Sequence, residues 1–145
     1  MIKNTVERWE PQTGLGERPA SIFDTTWQGG QQRLLVNLMF ATEAGENDGA
    51  SALIIFHDVF AHQICDEDMD ISGLLDSPAA ELARSYPYGG RWPFLLVKSS
   101  TWVAQLVEQH GGWTAADFRH FIVTSRNMHL HVVCQNFDEP LYIAS

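Results

Sequence analysis

The strictest pattern in the sequence is an alternation that predicts one β-strand. Leu34, Val36, Leu38 and Phe40 occupy every second position, so an extended chain places all four side chains on one face. Residues 52–56, Ala-Leu-Ile-Ile-Phe, are apolar at every position, which is typical of a central strand covered on both faces. Two such segments need a common core, and they therefore favour a β-sheet.

Turn-forming residues divide much of the remaining chain into further short strands. We expect His57 and Asp58 to turn or bulge the chain before the next strand, and residues 42–50 to form an exposed hairpin loop. The other segments with strand composition are Ser21 to Trp27, Val59 to Cys65, Phe94 to Val97, His120 to Ser125 and Met128 to Cys134.

The last two of these strands predict a hairpin whose register decides which face each side chain occupies. Arg126 and Asn127 supply the turn, because Asn tolerates the positive φ that a tight turn requires. If Ser125 faces Met128, one face carries the core residues Phe121, Val123, Leu130 and Val132. The opposite face then carries His120, Ile122, Thr124, His129, His131 and Val133.

Two segments carry helix signals. Ser77 and Pro78 favour the start of a short helix to about Ser85, since Ser caps the first amides and Pro is tolerated at the first helical position. A second helix is expected after Ser100, with its apolar stripe on the sheet and with glycines at 111–112 to end it. Its stripe consists of Trp102, Val103, Leu106 and Val107.

These patterns predict an α+β fold in a single domain that spans residues 1–145. We expect a mainly antiparallel sheet of about five to seven strands with two short helices packed on it. Residues 1–20 contain Pro and Gly and few apolar side chains, so they are expected to form an arm or loop beside the globular part, residues 21–145.

The distribution of charge is uneven along the chain. The net charge is −9, yet no Lys or Arg occurs between Arg33 and Arg84. Such a surface would repel a phosphate backbone and attract a basic protein, so nucleic-acid binding is not expected. The residues predicted to contact a basic partner are the acids Glu43, Glu46, Asp48, Asp66, Glu67, Asp68 and Asp70, together with Trp92 as an exposed aromatic residue.

Three histidines of the predicted hairpin are the candidate metal ligands. In the expected register His131 is diagonal to His120 and two residues from His129, close enough for the imidazoles to share a metal ion. The sequence names no further ligand. Asp66, Asp68 and Asp70 alternate like the first ligands of a calcium loop, but the later positions that such a loop needs are filled by Ile71 and Ser77.

No motif for nucleotide, phosphate, zinc-protease or serine-hydrolase chemistry is present, so no cofactor is predicted. The first residues lack the apolar core of a signal peptide, and no apolar run approaches the roughly 20 residues that cross a bilayer. Cys65 and Cys134 read as reduced thiols. We therefore expect a soluble cytoplasmic protein without a membrane partner.

Three stretches together resemble small uncharacterised bacterial α+β proteins, some of which accompany secreted toxins as immunity factors. The stretches are residues 54–64 (IIFHDVFAHQI), 92–102 (WPFLLVKSSTW) and 119–125 (RHFIVTS) with its return strand. The resemblance covers about residues 52–134 and concerns the layout of elements. It implies a binding role and transfers no functional residue.

The leading functional hypothesis is a non-enzymatic protein-binding factor, immunity-like or antitoxin-like, that uses its acidic surface against a basic partner. One alternative is a small metal-dependent hydrolase with its histidine cluster on the 120–134 hairpin. The other is a homo-oligomeric accessory protein. The first hypothesis depends on the acidic segment, and the second depends on the three histidines.

Overall fold

In the part of the chain that the structure describes, the fold is an antiparallel β-sheet with one α-helix packed on it. The computed structural model describes residues 5–11, 18–66, 78–82, 91–126 and 128–143. The strands are β1 Thr5–Arg8, β2 Ala20–Gln28, β3 Arg33–Ala41, β4 Asn47–Asp66, β5 Phe94–Lys98, β6 Arg119–Thr124, β7 Met128–Phe137 and β8 Leu141–Ile143, and the helix α1 is Thr101–His110. The strand order is β1-β5-β6-β7-β4-β3-β2, and β8 pairs with β4 beside β7.

The predicted α+β class with two helices is wrong, because sheet dominates and the described residues contain one α-helix. Where the first helix was expected, Pro78–Ala80 form a single 3-10 turn, and Ser77 and residues 83–85 lie outside the described residues. The carbonyl groups of this turn have other partners. Arg8 donates to the carbonyl oxygens of Ala79 and Glu81, and the Trp92 amide donates to that of Ala80. Tertiary contacts thus use carbonyl groups of the segment in which a helix was expected.

Within the N-terminal segment, Thr5–Arg8 form a strand of the sheet, β1. β1 pairs with β5 from Thr5 opposite Lys98 to Arg8 opposite Leu95, and the Trp9 amide continues the ladder to the Phe94 carbonyl. A four-residue strand with one apolar side chain is too short to show an alternation in the sequence. Residues 12–17 lie outside the described residues.

β4 is one strand of 20 residues that serves two sets of neighbours. Before Asp58 it pairs with β3, and at Ser51–Leu53 also with β8, whereas from Phe56 onward it pairs with β7. Asp58 adopts φ 51°, and the β7 register shifts just after it. The predicted bulge at this point is confirmed, and it bends β4.

The bend brings both ends of β4 to the turn between β6 and β7. Asp66, at the end of β4, pairs with Met128 beside this turn. The backbone amide of Arg126, within the turn, donates to the Ser21 carbonyl of β2, and its guanidinium donates to the carbonyl of Gly45, just before β4. The sheet therefore curves until the β6–β7 turn meets the β2 edge.

The curved sheet encloses the core on its inner face. The alternation predicted for β3 is confirmed, since Leu34, Val36, Leu38 and Phe40 have no exposed surface. The hairpin register is confirmed as well, with Phe121 opposite Val132 and Val123 opposite Leu130. The other face of β6 and β7 is covered by α1, whose Val103 packs against Phe118 and Val133.

α1 begins and ends where the sequence predicted. The Ser100 side chain accepts from the Val103 amide as an N-cap, and Gly111 follows the last turn with φ 36°. No helix in the described part of the chain combines the length and the apolar character that a bilayer crossing requires.

Candidate functional site

The predicted acidic residues that the structure describes lie near the β6–β7 turn. Glu43 and Glu46 are exposed in the turn between β3 and β4, and Asp66 is exposed at the far end of β4. Because both ends of the bent strand meet Arg126 or its neighbours, these acids share one end of the sheet. Glu67, Asp68 and Asp70 lie outside the described residues. We call Glu43, Glu46 and Asp66 the acidic end.

Asp48 has a different environment from the other predicted acids. Its carboxylate pairs with the guanidinium of Arg18, and its side chain is only 18% exposed. The same guanidinium lies 4.8 Å from the ring centre of Phe40 and donates to the Tyr142 hydroxyl. Asp48 therefore holds the Arg18 guanidinium over Phe40 at the edge of the core. Because its charge is paired with Arg18, Asp48 adds little to the negative charge of the protein surface.

The expectation that Trp92 is an exposed contact residue is wrong. Its side chain is 5% exposed, and Arg8 covers the ring at 4.4 Å from its centre. The indole N–H donates to the Trp9 carbonyl at 3.4 Å. Trp92 lies two residues before the start of β5 and next to the core. Burial of its large apolar ring there stabilises the fold more than exposure to water would.

The outer face of the sheet carries an apolar surface that sequence reasoning missed. Cross-strand pairing aligns Ile22, Met39, Ser51 and Ile143 in one row, and Asp24, Asn37, Leu53 and Leu141 in the next. Thr26, Leu35 and Ile55 form a third row. The exposed fractions are 43% for Ile22, 64% for Leu141 and 63% for Ile143. The sequence did contain an indication of this surface, because residues 52–56 are apolar at both odd and even positions, which face opposite sides of a strand.

Two of the three predicted metal ligands are in direct contact with each other. His120 Nε2 lies 2.8 Å from His131 Nδ1, so the diagonal pair of the predicted register is a hydrogen bond. His129 is fully buried on the same face, opposite Thr124 and Cys65. This hydrogen bond uses His120 Nε2 and His131 Nδ1, the two nitrogens that would otherwise face a shared metal ion. In the described ranges no group of three or more His, Cys, Asp or Glu side chains is placed to hold a metal ion.

The pair extends to a serine at the start of α1. Ser100 Oγ lies 2.7 Å from His120 Nδ1 and accepts from the Val103 amide at 3.1 Å. Burial, and in second place the neighbouring His131, lowers the pKa of His120 from 6.5 to about 3. His120 is thus neutral and a weak proton acceptor, which does not suit it to activate Ser100 as a nucleophile.

A cleft of about 610 Å³ opens beside this serine–histidine network. It lies between the end of β5, the start of α1 and the start of β6, with Lys98 and Arg119 as its basic residues. Lys98 is ion-paired with Glu7 at 3.1 Å. Because the network already satisfies the polar atoms of Ser100 and His120, we assign it the role of fixing α1 on the sheet.

Replacing Ser100 by Ala is therefore expected to lower the free energy of unfolding by about 1 to 3 kcal/mol. The variant loses the helix cap and also leaves His120 Nδ1 without the hydroxyl. Urea unfolding measures the change, and Ser99→Ala, at the exposed neighbouring position, is the control. A loss no larger than that of the control would contradict the structural role of the network.

Two further histidines have partners of their own. His57 pairs with Asp138 at 2.9 Å, and the His62 ring lies against that of Trp27, tilted by 41° with 5.1 Å between ring centres. Cys65 and Cys134 are both buried and form no disulfide. Burial raises the pKa of the Cys134 thiol to about 12, so this sulfur stays protonated.

Comparisons of the chain with protein-family models, with curated proteins and with solved structures found no match. Any function must therefore be argued from the surfaces and contacts of this chain.

Proposed function

We propose that this protein is a non-enzymatic binding factor that uses its acidic end against a basic partner protein. The observation that carries the proposal is the bend of β4, which gathers exposed acids from both ends of a 20-residue strand beside one turn. Charges from distant parts of the sequence then act on the same region of solvent.

The local balance of charge supports this assignment. Arg126 places one positive charge in the β6–β7 turn, with its guanidinium on the Gly45 carbonyl, against the three carboxylates of the acidic end. Glu43, Glu46 and Asp66 are exposed, so their field reaches an approaching protein. Charges on such a surface act over a Debye length of about 8 Å at physiological salt, and they mainly raise the association rate and select the partner.

An immunity-like or antitoxin-like role in the cytoplasm is the form of this function that we propose. Such a factor must recognise one protein, and it needs no catalytic group. The weakly basic His120 and the protonated Cys134 thiol are consistent with a binding role.

Neutralising the acidic end is expected to abolish capture of a basic protein. The variant carries Glu43→Gln, Glu46→Gln and Asp66→Asn, which remove three charges that Coulomb attraction to a basic surface requires. Pull-downs from a native lysate of the source organism, at about 50 and about 300 mM salt, compare it with the parent.

The matched control removes the same amount of charge from other exposed positions, with Glu10→Gln, Glu108→Gln and Glu139→Gln. This control is expected to keep the captured protein at low salt. Capture that persists in the acidic-end variant, or that is equally weakened by the control, would show that this end of the sheet is not the recognition site.

A further inference from the structure

We propose that the outer face of β2, β3, β8 and the first half of β4 is the docking face for the apolar centre of the same basic partner. This inference rests on the proposed function and adds a second surface to it. The apolar residues of the docking face are Ile22, Leu35, Met39, Leu53, Ile55, Leu141 and Ile143.

The registers place these apolar side chains on one face of the sheet, together with the polar Asp24, Thr26, Asn37 and Ser51. Residues paired across antiparallel strands point to the same side of a sheet. The inner rows between them, such as Phe23, Leu38 and Ala52, are buried in the core, so the alternate residues point outward. Two of the rows run from β2 through β3 and β4 to β8, and the third ends at Ile55 of β4.

The composition of β4 indicates that this face is normally covered. Ala52, Ile54 and Phe56 are fully buried on the inner side, but Leu53 and Ile55 on the outer side are only partly buried. Strands that are apolar on both sides are typical of sheets with both faces covered. A four-stranded apolar face with side chains up to 64% exposed is also unusual for a surface without a partner.

The charges around the docking face select the occupant. Glu43 and Glu46 lie in the turn that joins β3 to β4, next to the row of Met39, Ser51 and Ile143. Asp24 lies within the face and its three rows contain no Lys or Arg, while Arg33 lies in the next row, paired with Gln28, and Arg126 reaches the Gly45 carbonyl in the turn of Glu43 and Glu46. A partner with an apolar centre and a basic rim complements both features. A second copy of this chain, with its net charge of −9, would bring like charges together.

Synthetic peptides test the docking face without knowledge of the natural partner. Three short peptides of equal length are added to 15N-labelled protein at low salt, with alternating Lys and Val, alternating Lys and Ser, or alternating Glu and Val. The Lys/Val peptide is expected to shift amide signals of β2, β3 and β8, with a dissociation constant about tenfold below those of the other two.

Substitution of the docking face separates its role from that of the acidic end. Leu141→Ser with Ile143→Ser is expected to weaken binding of the Lys/Val peptide about tenfold and to leave the Lys/Ser peptide unaffected. Ile64→Ser, at a 45% exposed isoleucine outside these rows, is the matched control. Ile22→Ser provides an independent variant on β2 in case the β8 variant changes the fold.

The possible failures are distinguishable. If the Lys/Ser peptide binds as well as the Lys/Val peptide, with shifts only near the acidic end, the docking face is overturned and the proposed function stands. If no peptide binds at low salt, both are overturned. If the parent sediments as a dimer and the Leu141→Ser, Ile143→Ser variant as a monomer, the occupant is a second copy and the inference is overturned.

Discussion

Replacing Trp9 by Ala is expected to lower the free energy of unfolding by about 2 to 4 kcal/mol, somewhat below the range for a fully buried aromatic side chain because Trp9 is partly buried. The indole ring lies 4.3 Å from the centre of Phe121 and 4.7 Å from that of Phe137. Phe94 and Phe56 are the next rings, at 5.8 and 6.1 Å. No smaller side chain at position 9 reaches all four rings, so the variant leaves a cavity at the centre of the aromatic cluster.

Urea unfolding followed by circular dichroism measures the effect. Trp113→Ala is the matched control, because Trp113 is 47% exposed and its ring contacts Phe118 alone among the described aromatic rings. We expect the control to lose less than about 1 kcal/mol. Equal losses in the two variants would mean that the N-terminal segment contributes no more to stability than a surface position.

Acid is expected to destabilise the protein through His120. The unfolded imidazole takes up a proton below pH 6.5, whereas the folded one stays neutral to about pH 3 because burial, and then His131, lowers its pKa. Its contribution to stability is therefore complete above pH 6.5 and is lost as the pH falls from 6.5 towards 3. The loss is about 1.4 kcal/mol per pH unit and about 4 to 5 kcal/mol in total.

The test is the pH dependence of urea unfolding for the parent and for His120→Gln. The amide does not titrate, so the variant is expected to be less stable at neutral pH but to lose about 1.4 kcal/mol less per pH unit than the parent below pH 6.5. Identical slopes in the parent and in His120→Gln would show that His120 does not titrate differently in the two states.

Sequence patterns that span a few residues correctly predicted those elements of the fold whose structure depends on neighbouring residues. The β3 alternation, the Ser100 cap and the register of the β6–β7 hairpin follow from periods and turn residues within a few positions. β1 was missed because it is held by β5, more than 85 positions away in the sequence. Where a helix was expected after Ser77, residues 78–80 form a 3-10 turn whose carbonyl groups accept from Arg8 and Trp92, which are also distant in the sequence.

The candidate surfaces were likewise predictable where they depend on local composition and not where they depend on contacts between distant residues. The acidic run was visible as a count of charges, but the sequence could not show that Asp48 pairs with Arg18 or that β4 bends until its ends meet Arg126. The apolar residues 52–56 indicated two covered faces, and only the cross-strand rows show that one of them is open. Trp92 was misplaced because an aromatic residue carries no local sign of whether it faces the core.

Because β4 belongs to two groups of strands, we expect its two halves to open together. Partial unfolding of either half would leave unpaired peptide groups on a strand that the other half still holds, so the free energy of local opening is shared along β4. A protein that clamps residues 51–53 should therefore also slow hydrogen exchange at amides near Cys65, on the far side of the Asp58 bulge. The bend would then let one strand transmit the effect of binding at residues 51–53 to amides near Cys65 that the bound protein does not touch.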